Sequence, residues 1–196
     1  LAMATLGSDT AGSIRMPAFF CGITGLKPTY GRVSRRGVAP LAYSLDHCGP
    51  MTWTARDAAL MLQVIAGHDA EDPGSCDRPV PDYASALTGD IQGVTVGLIR
   101  HFYDGDEHAD ADVKTAMDGA LRTLEGLGAR IEEIQLSSLH DYSACCMIIM
   151  LCEALAVHER DLRATPQKYG KIFRDRLMLS SLLTGLDYVQ AVRLRR

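Results

Sequence analysis

An α/β fold is what this sequence predicts, and three observations predict it. Val94, Val96 and Leu98 alternate with smaller residues, so 93–100 reads as a strand. Val113, Met117, Leu121 and Leu124 then trace one face of a helix ending near Gly126–Gly128, and 129–136 supplies a second strand, completing a βαβ unit. From about Ser137 onward the apolar spacing turns helical, in three stretches: roughly His140–Ala164, Gln167 to about Thr184, and Asp187–Arg196, with Pro166 and Gly185 between them.

The remaining elements follow in chain order. Leu1 to Leu6 is apolar, has no polar lead-in, and reads as the end of a buried element cut upstream. Residues 22–53 are rich in Gly, Pro and turn formers, which predicts irregular loops and short strands wrapping a core. Thr54 opens a helix as its N-cap, with Asp57 three residues on as a carboxylate version of the capping box. Ala58, Met61, Leu62 and Ile65 give that helix one apolar face, and Gly67 is placed to end it. Residues 69–92 return to loop, marked by Asp72-Pro73-Gly74 and by Pro79 and Pro81. The closing Arg-Leu-Arg-Arg stops inside a helical pattern, so the second end also reads as cut. The length fits one domain or a large piece of one, here a partial domain in three stretches, 1–54, 55–136 and 137–196.

Composition narrows the function classes. Twenty Lys and Arg against 24 Asp and Glu leave a net charge of −4, which gives no support to a nucleic-acid partner. Arg35-Arg36 and Arg193, Arg195 and Arg196 are short basic clusters that read as solvated faces. No apolar run reaches the length of a membrane span, so no membrane partner is expected. Six cysteines form no CxxC pair and read as reduced thiols in a cytoplasmic protein; Cys21, between Phe20 and Gly22, reads as packed. The six histidines show no HxxxH or HxH spacing, so neither a metal nor another cofactor is expected.

The most informative stretch is Gly7-Ser-Asp-Thr-Ala-Gly-Ser-Ile-Arg-Met-Pro17. It sets Ser13 behind a run of small residues and just before a helix start, where a loop turns several N–H groups toward one point. A hydroxyl beside such a nest suits attack on a carbonyl whose oxygen becomes negative. Better-known motifs fit worse. Gly7-x-x-x-x-Gly12 has P-loop glycine spacing but is followed by Ser13-Ile14 where Lys-Ser/Thr is needed. Ala11 breaks an Asp-Thr-Gly match, and no serine lies between glycines in a Gly-x-Ser-x-Gly elbow. A purely structural alternative is a tight turn with Ser13 capping the next helix.

Gly7 to Ala18, then Cys21-Gly22, then Gly25-Leu-Lys-Pro-Thr-Tyr-Gly-Arg-Val-Ser34 closely resemble the core of the amidase signature family. Ser44-Leu-Asp46, Gly49-Pro50 and Asp57-Ala58-Ala59 continue the match in order. The resemblance implies a mixed β-sheet flanked by helices and a Ser–cis-Ser–Lys hydrolase. In it Ser13 attacks an amide carbonyl to form an acyl-enzyme. The N–H groups of Thr10, Ala11, Gly12 and Ser13 hold the oxyanion, and a second serine relays a proton to a lysine. Asp9 and Arg15 are expected to support the loop rather than react. Ala11 stands where glycine is common in the family. The family's lysine and cis-serine lie upstream of the motif, and the only lysines here are Lys27, Lys114, Lys168 and Lys171. The chain is therefore expected to carry the nucleophile without its base, with Lys27 structural.

The reading this supports is an amidase that cleaves a small-molecule carboxylic amide, with a homodimer as one possible assembly. Two rival readings stay open. One is the glutamine-using A subunit of a tRNA-dependent amidotransferase. The other is a catalytically incompetent fragment or binding module. Asp46 and His47 are within reach of a pocket in this reading, although an ordinary loop role is expected for both.

Overall fold

The chain alternates short strands with helices, and the computed structural model describes residues 2–106 and 108–195. It divides into two units, residues 1–87 with 146–194, and residues 88–145. In the first, β1 (Ala4–Asp9), β2 (Thr24–Gly25) and β3 (His47–Thr52) form an antiparallel sheet in the order β1-β3-β2. The β1–β3 ladder runs from Ala4 opposite Thr52 to Asp9 opposite His47, so the end of β1 and the start of β3 lie side by side.

Between β1 and β2 comes α1 (Arg15–Cys21), which presses only Ala18 into the interior. A Cβ at Gly25 would fall 2.6 Å from the Ala18 Cβ and 2.9 Å from the Ile14 carbonyl oxygen, so glycine lets β2 close against this helix. Thr54 caps α2 (Ala55–Ile65): the Asp57 amide donates to the Thr54 hydroxyl at 3.1 Å, and that hydroxyl donates to the Asp57 carboxylate at 2.7 Å. Such a cap is worth about 1 kcal/mol. The helix buries Ala58, Ala59 and Leu62, and Leu62 joins Val33 and Cys48 in one core cluster, with Leu26, Ile65, Ala66 and Tyr83 packed around it. A second cluster forms where the C-terminal half of α5 (Leu139–Ala164) meets α6 (Lys171–Ser180), around Ala154, Leu162 and Leu177. The chain closes with α7 (Gly185–Leu194).

In the other unit, β4 (Thr95–Leu98) and β5 (Arg130–Glu133) pair in parallel, from Thr95 opposite Arg130 to Leu98 opposite Glu133. Two helices, α3 (His101–Asp104) and α4 (Ala111–Gly126), make the crossover between them. The expected βαβ unit is present, with strands four residues long where eight were expected. The first is cut short because Arg100 already has helical backbone at the start of α3.

Other expectations need correction. Leu6 is 51% exposed and Met3 85%, so these apolar side chains are not covered within this chain; Leu1 lies outside the described residues. Cys21 is exposed, as are Phe19 and Phe20, since α1 turns only its Ala18 side inward. The stretch expected as one helix from Gln167 is a 3-10 turn, Pro166–Lys168, followed by α6, with the break at Tyr169–Gly170. By length and composition α5 is apolar enough to cross a membrane, although no uninterrupted run suggested it. Its Glu153 is nonetheless buried and accepts hydrogen bonds from the Ser44 amide, the Ser44 hydroxyl and the Tyr188 hydroxyl, as in a packed protein interior.

Candidate active site

The turn after β1 is built around one carboxylate. Asp9 is fully buried, and its Oδ1 accepts the Gly12 amide at 2.7 Å. Its Oδ2 accepts the Ile14 amide at 3.2 Å and the Arg15 amide at 3.4 Å. The Arg15 guanidinium completes the set with a two-point grip, Nε to Oδ2 and Nη2 to Oδ1, each at 3.0 Å. Burial by itself would raise this carboxyl, but the Arg15 hydrogen bonds, followed by the Gly12 and Ile14 amides, outweigh it and hold the pKa at about 2. A permanently ionised group thus gathers the backbone of residues 12–15 around itself. Gly12 makes the sharpest bend, at φ +134°, which a side chain would strain. Ala11 has negative φ, so its methyl in place of glycine carries no such cost.

These contacts decide which groups face outward. Ser13 is exposed, and α1 takes Ile14 as its N-cap residue with no side-chain cap, so the Ser13 hydroxyl is not spent on capping. The Gly12 amide departs from its expected role, because it points to Asp9 Oδ1 instead of outward. Among the described residues, no protein group accepts from the Thr10, Ala11 or Ser13 amides.

Ser13, Ser8 and Thr10 form one wall of a cavity of ≈ 530 Å³. The other walls come from loops distant in sequence: Tyr30 and Arg35, residues 38–41 and Tyr43, Asp46 and His47, and residues 71–74. Asp46 and His47 therefore do reach the pocket. Asp46 is buried and accepts the Thr10 hydroxyl at 2.5 Å. His47 stands opposite Asp9 in the ladder, with Nδ1 2.5 Å from the Leu45 carbonyl oxygen. Burial, aided by the Lys27 ammonium, pulls the His47 imidazole below its ordinary pKa, so it is neutral near pH 7. Lys27 is not on the cavity wall; its Nζ donates to the Pro28 carbonyl at 2.8 Å, and burial followed by the nearby Arg15 charge lowers its pKa.

The far wall was not read from the sequence. Arg35 binds Asp72 through Nη2 at 3.1 Å and donates from Nη1 to the Tyr43 carbonyl at 2.6 Å, with its guanidinium 4.7 Å from the Tyr30 ring centroid. The Tyr30 hydroxyl donates to the same carbonyl at 2.7 Å. Here the Arg35 hydrogen bond, which outweighs the cost of burial, holds the Asp72 carboxyl at about 2. The available signal was Asp72-Pro73-Gly74: the Asp72 side chain accepts the Gly74 amide at 2.9 Å, making an Asx turn.

Known proteins narrow the chemistry that this geometry allows. Residues 1–193 match the family model described as Amidase. The chain belongs to the amidase family. Among curated relatives, the A subunit of the Glutamyl-tRNA(Gln) amidotransferase of Geobacter metallireducens is 52% identical over 153 residues, covering 78% of this chain and 31% of the relative. An Amidase of Pseudomonas putida is 42% identical over 190 residues, covering 96% of this chain and 40% of the relative. A solved, inhibitor-bound structure from a vestigial protein complex linked to the evolutionary origins of an s-triazine catabolic enzyme superposes with a TM-score of 0.89 at 33% identity. It covers all of this chain and 41% of that one. The amidase-family chain thus spans well under half the length of these relatives.

Proposed function

We propose that this amidase-family chain carries the nucleophile side of an amide-hydrolysing site. Ser13 Oγ attacks the carbonyl carbon of a small carboxylic amide and gives its proton to a general base. The carbonyl oxygen becomes an oxyanion held by the Thr10, Ala11 and Ser13 amides. Collapse of the adduct breaks the C–N bond, and the leaving nitrogen takes up a proton. Water then attacks the seryl ester and releases the acid, restoring Ser13. One oxyanion donor is worth about 3 kcal/mol in the transition state, so several preset amides supply much of the rate.

The observation that supports this reading best is Ser13 itself, exposed on a cavity wall beside amides with no acceptor among the described residues. Asp9 and Arg15 hold the turn rather than react, since the Asp9 oxygens are occupied by backbone and guanidinium donors. In the complete protein, Ser13→Ala should lower kcat by about a thousandfold or more while binding of the amide persists. A Ser13→Ala protein that still turns over at the parental rate removes the nucleophile from the account.

The identity of 52% to an amidotransferase A subunit favours a second reading, in which the amide is glutamine and its ammonia passes to an acyl acceptor. Glutaminase activity that rises when partner subunits are added selects that version; hydrolysis of simple amides by the protein alone selects the first. We assign the chain to the cytoplasm.

A further inference from the structure

Two side chains of one loop, Asp46 and Ser44, have no part in the acyl-transfer reading. Asp46 is 8% exposed. Its Oδ2 accepts the Leu41 amide at 2.8 Å and the Ala42 amide at 3.0 Å, while its own amide donates to the Ala42 carbonyl at 2.9 Å. One carboxylate thereby closes residues 41–46 into a rigid ring, with Ala42 fully buried beneath it. Ser44, on the same ring, donates its amide and hydroxyl to Glu153 of α5 at 2.9 and 2.7 Å, and Tyr188 of α7 donates to Glu153 at 2.9 Å. The ring is fixed to two helices and has little freedom to shift. Its outward oxygen, Asp46 Oδ1, takes the Thr10 hydroxyl.

We propose that Asp46 is a positioning residue for the oxyanion-binding turn, acting through the Thr10 hydroxyl; this rests on the acyl-transfer reading of Ser13. Asp9 grips the backbone of residues 12–15 but reaches neither Thr10 nor Ala11. Those two residues carry two of the three turn amides that have no protein acceptor among the described residues. Asp46 is the group that ties this half of the turn to a fixed frame, so turn and ring move together or not at all. The substrate carbonyl gains most from these amides once it is negative, so loosening them removes transition-state stabilisation and leaves ground-state binding largely in place.

The test uses the complete protein with Asp46→Ala, Thr10→Val and the double variant, each followed by steady-state kinetics and thermal melting. Each single variant should lower kcat by about tenfold or more, with KM within about threefold of the parent. The double should lose no more than the worse single, because both break the same contact. Thr10→Ser, which restores a hydroxyl, should recover most of the loss seen in Thr10→Val. If Asp46→Ala does not fold, the pair Thr10→Val and Thr10→Ser still decides the question. Losses that multiply in the double variant overturn the proposal, as does a lowered melting temperature with kcat per folded molecule within about twofold of the parent. A dead Ser13→Ala beside a fully active Asp46→Ala overturns the positioning role alone. An active Ser13→Ala overturns the acyl-transfer reading beneath it.

Discussion

Two buried aspartates in this molecule each bind an arginine, and each sits at a pKa of about 2, yet they serve different ends. Asp9 spends its oxygens mostly on backbone: the Gly12, Ile14 and Arg15 amides converge on it, and Arg15 remains 53% exposed. Asp72 binds an arginine whose side chain is only 15% exposed, and that arginine in turn holds the Tyr43 carbonyl and stacks on Tyr30. The first arrangement shapes a turn that presents Ser13; the second braces a cavity wall. Similar charge pairing thus sets peptide geometry in one place and packs loop against loop in the other. Depressed carboxylate pKa values alone would not have told them apart.

The difference is open to direct attack. Asp9→Ala leaves the Gly12, Ile14 and Arg15 donors without their acceptor. It should destabilise the fold by about 3 kcal/mol and lower kcat per folded molecule by about a hundredfold. Asp72→Ala should cost a similar amount of stability, about 3 kcal/mol, with a loss in kcat of no more than about tenfold. Equal losses of turnover in the two variants, measured on protein shown to be folded by circular dichroism, would erase the distinction.

Acid titration sharpens the comparison next. Both folded values lie below the ordinary carboxylate value of 3.8, so the stabilisation is complete above that value and is lost as pH falls through about 2. For Asp9 the effect is about 1–2 kcal/mol once the half-exposed Arg15 is discounted for solvent screening. Melting temperature should therefore fall between about pH 4 and pH 2, and the slope should flatten in Asp9→Asn. An unchanged slope would mean that Asp9 gains nothing from ionisation. At the small end, Thr54→Ala should cost about 1 kcal/mol through the lost α2 cap, with turnover unchanged. The exposed Arg163–Glu159 pair should give less than about 0.5 kcal/mol when Glu159→Gln removes it.

The same contrast explains what could be read from the sequence. The turn at 7–17 was legible because its chemistry is local: the acceptor and its donors fall within six residues, from Asp9 to Arg15. The α2 cap and the βαβ unit were legible for the same reason, since capping spacing and apolar period are short-range signals. The cavity was not. Arg35 meets Asp72 across 37 residues, and Ser44 meets Glu153 across 109, and no local spacing encodes such meetings between loops. Burial at Leu6 and Cys21 was misjudged because an apolar or small residue marks a surface able to be covered, not one that is covered within this chain. That the Gly12 amide donates to Asp9 is visible only in the fold.

The central claim is that Ser13 becomes acylated. Incubating the complete protein with a fluorophosphonate probe, digesting it and locating the adduct by mass spectrometry tests this most directly. The account predicts a single modified peptide with the phosphonyl group on Ser13 and loss of turnover in proportion to labelling. A turning-over protein that labels elsewhere, or loses no activity when Ser13 is fully labelled, would contradict it.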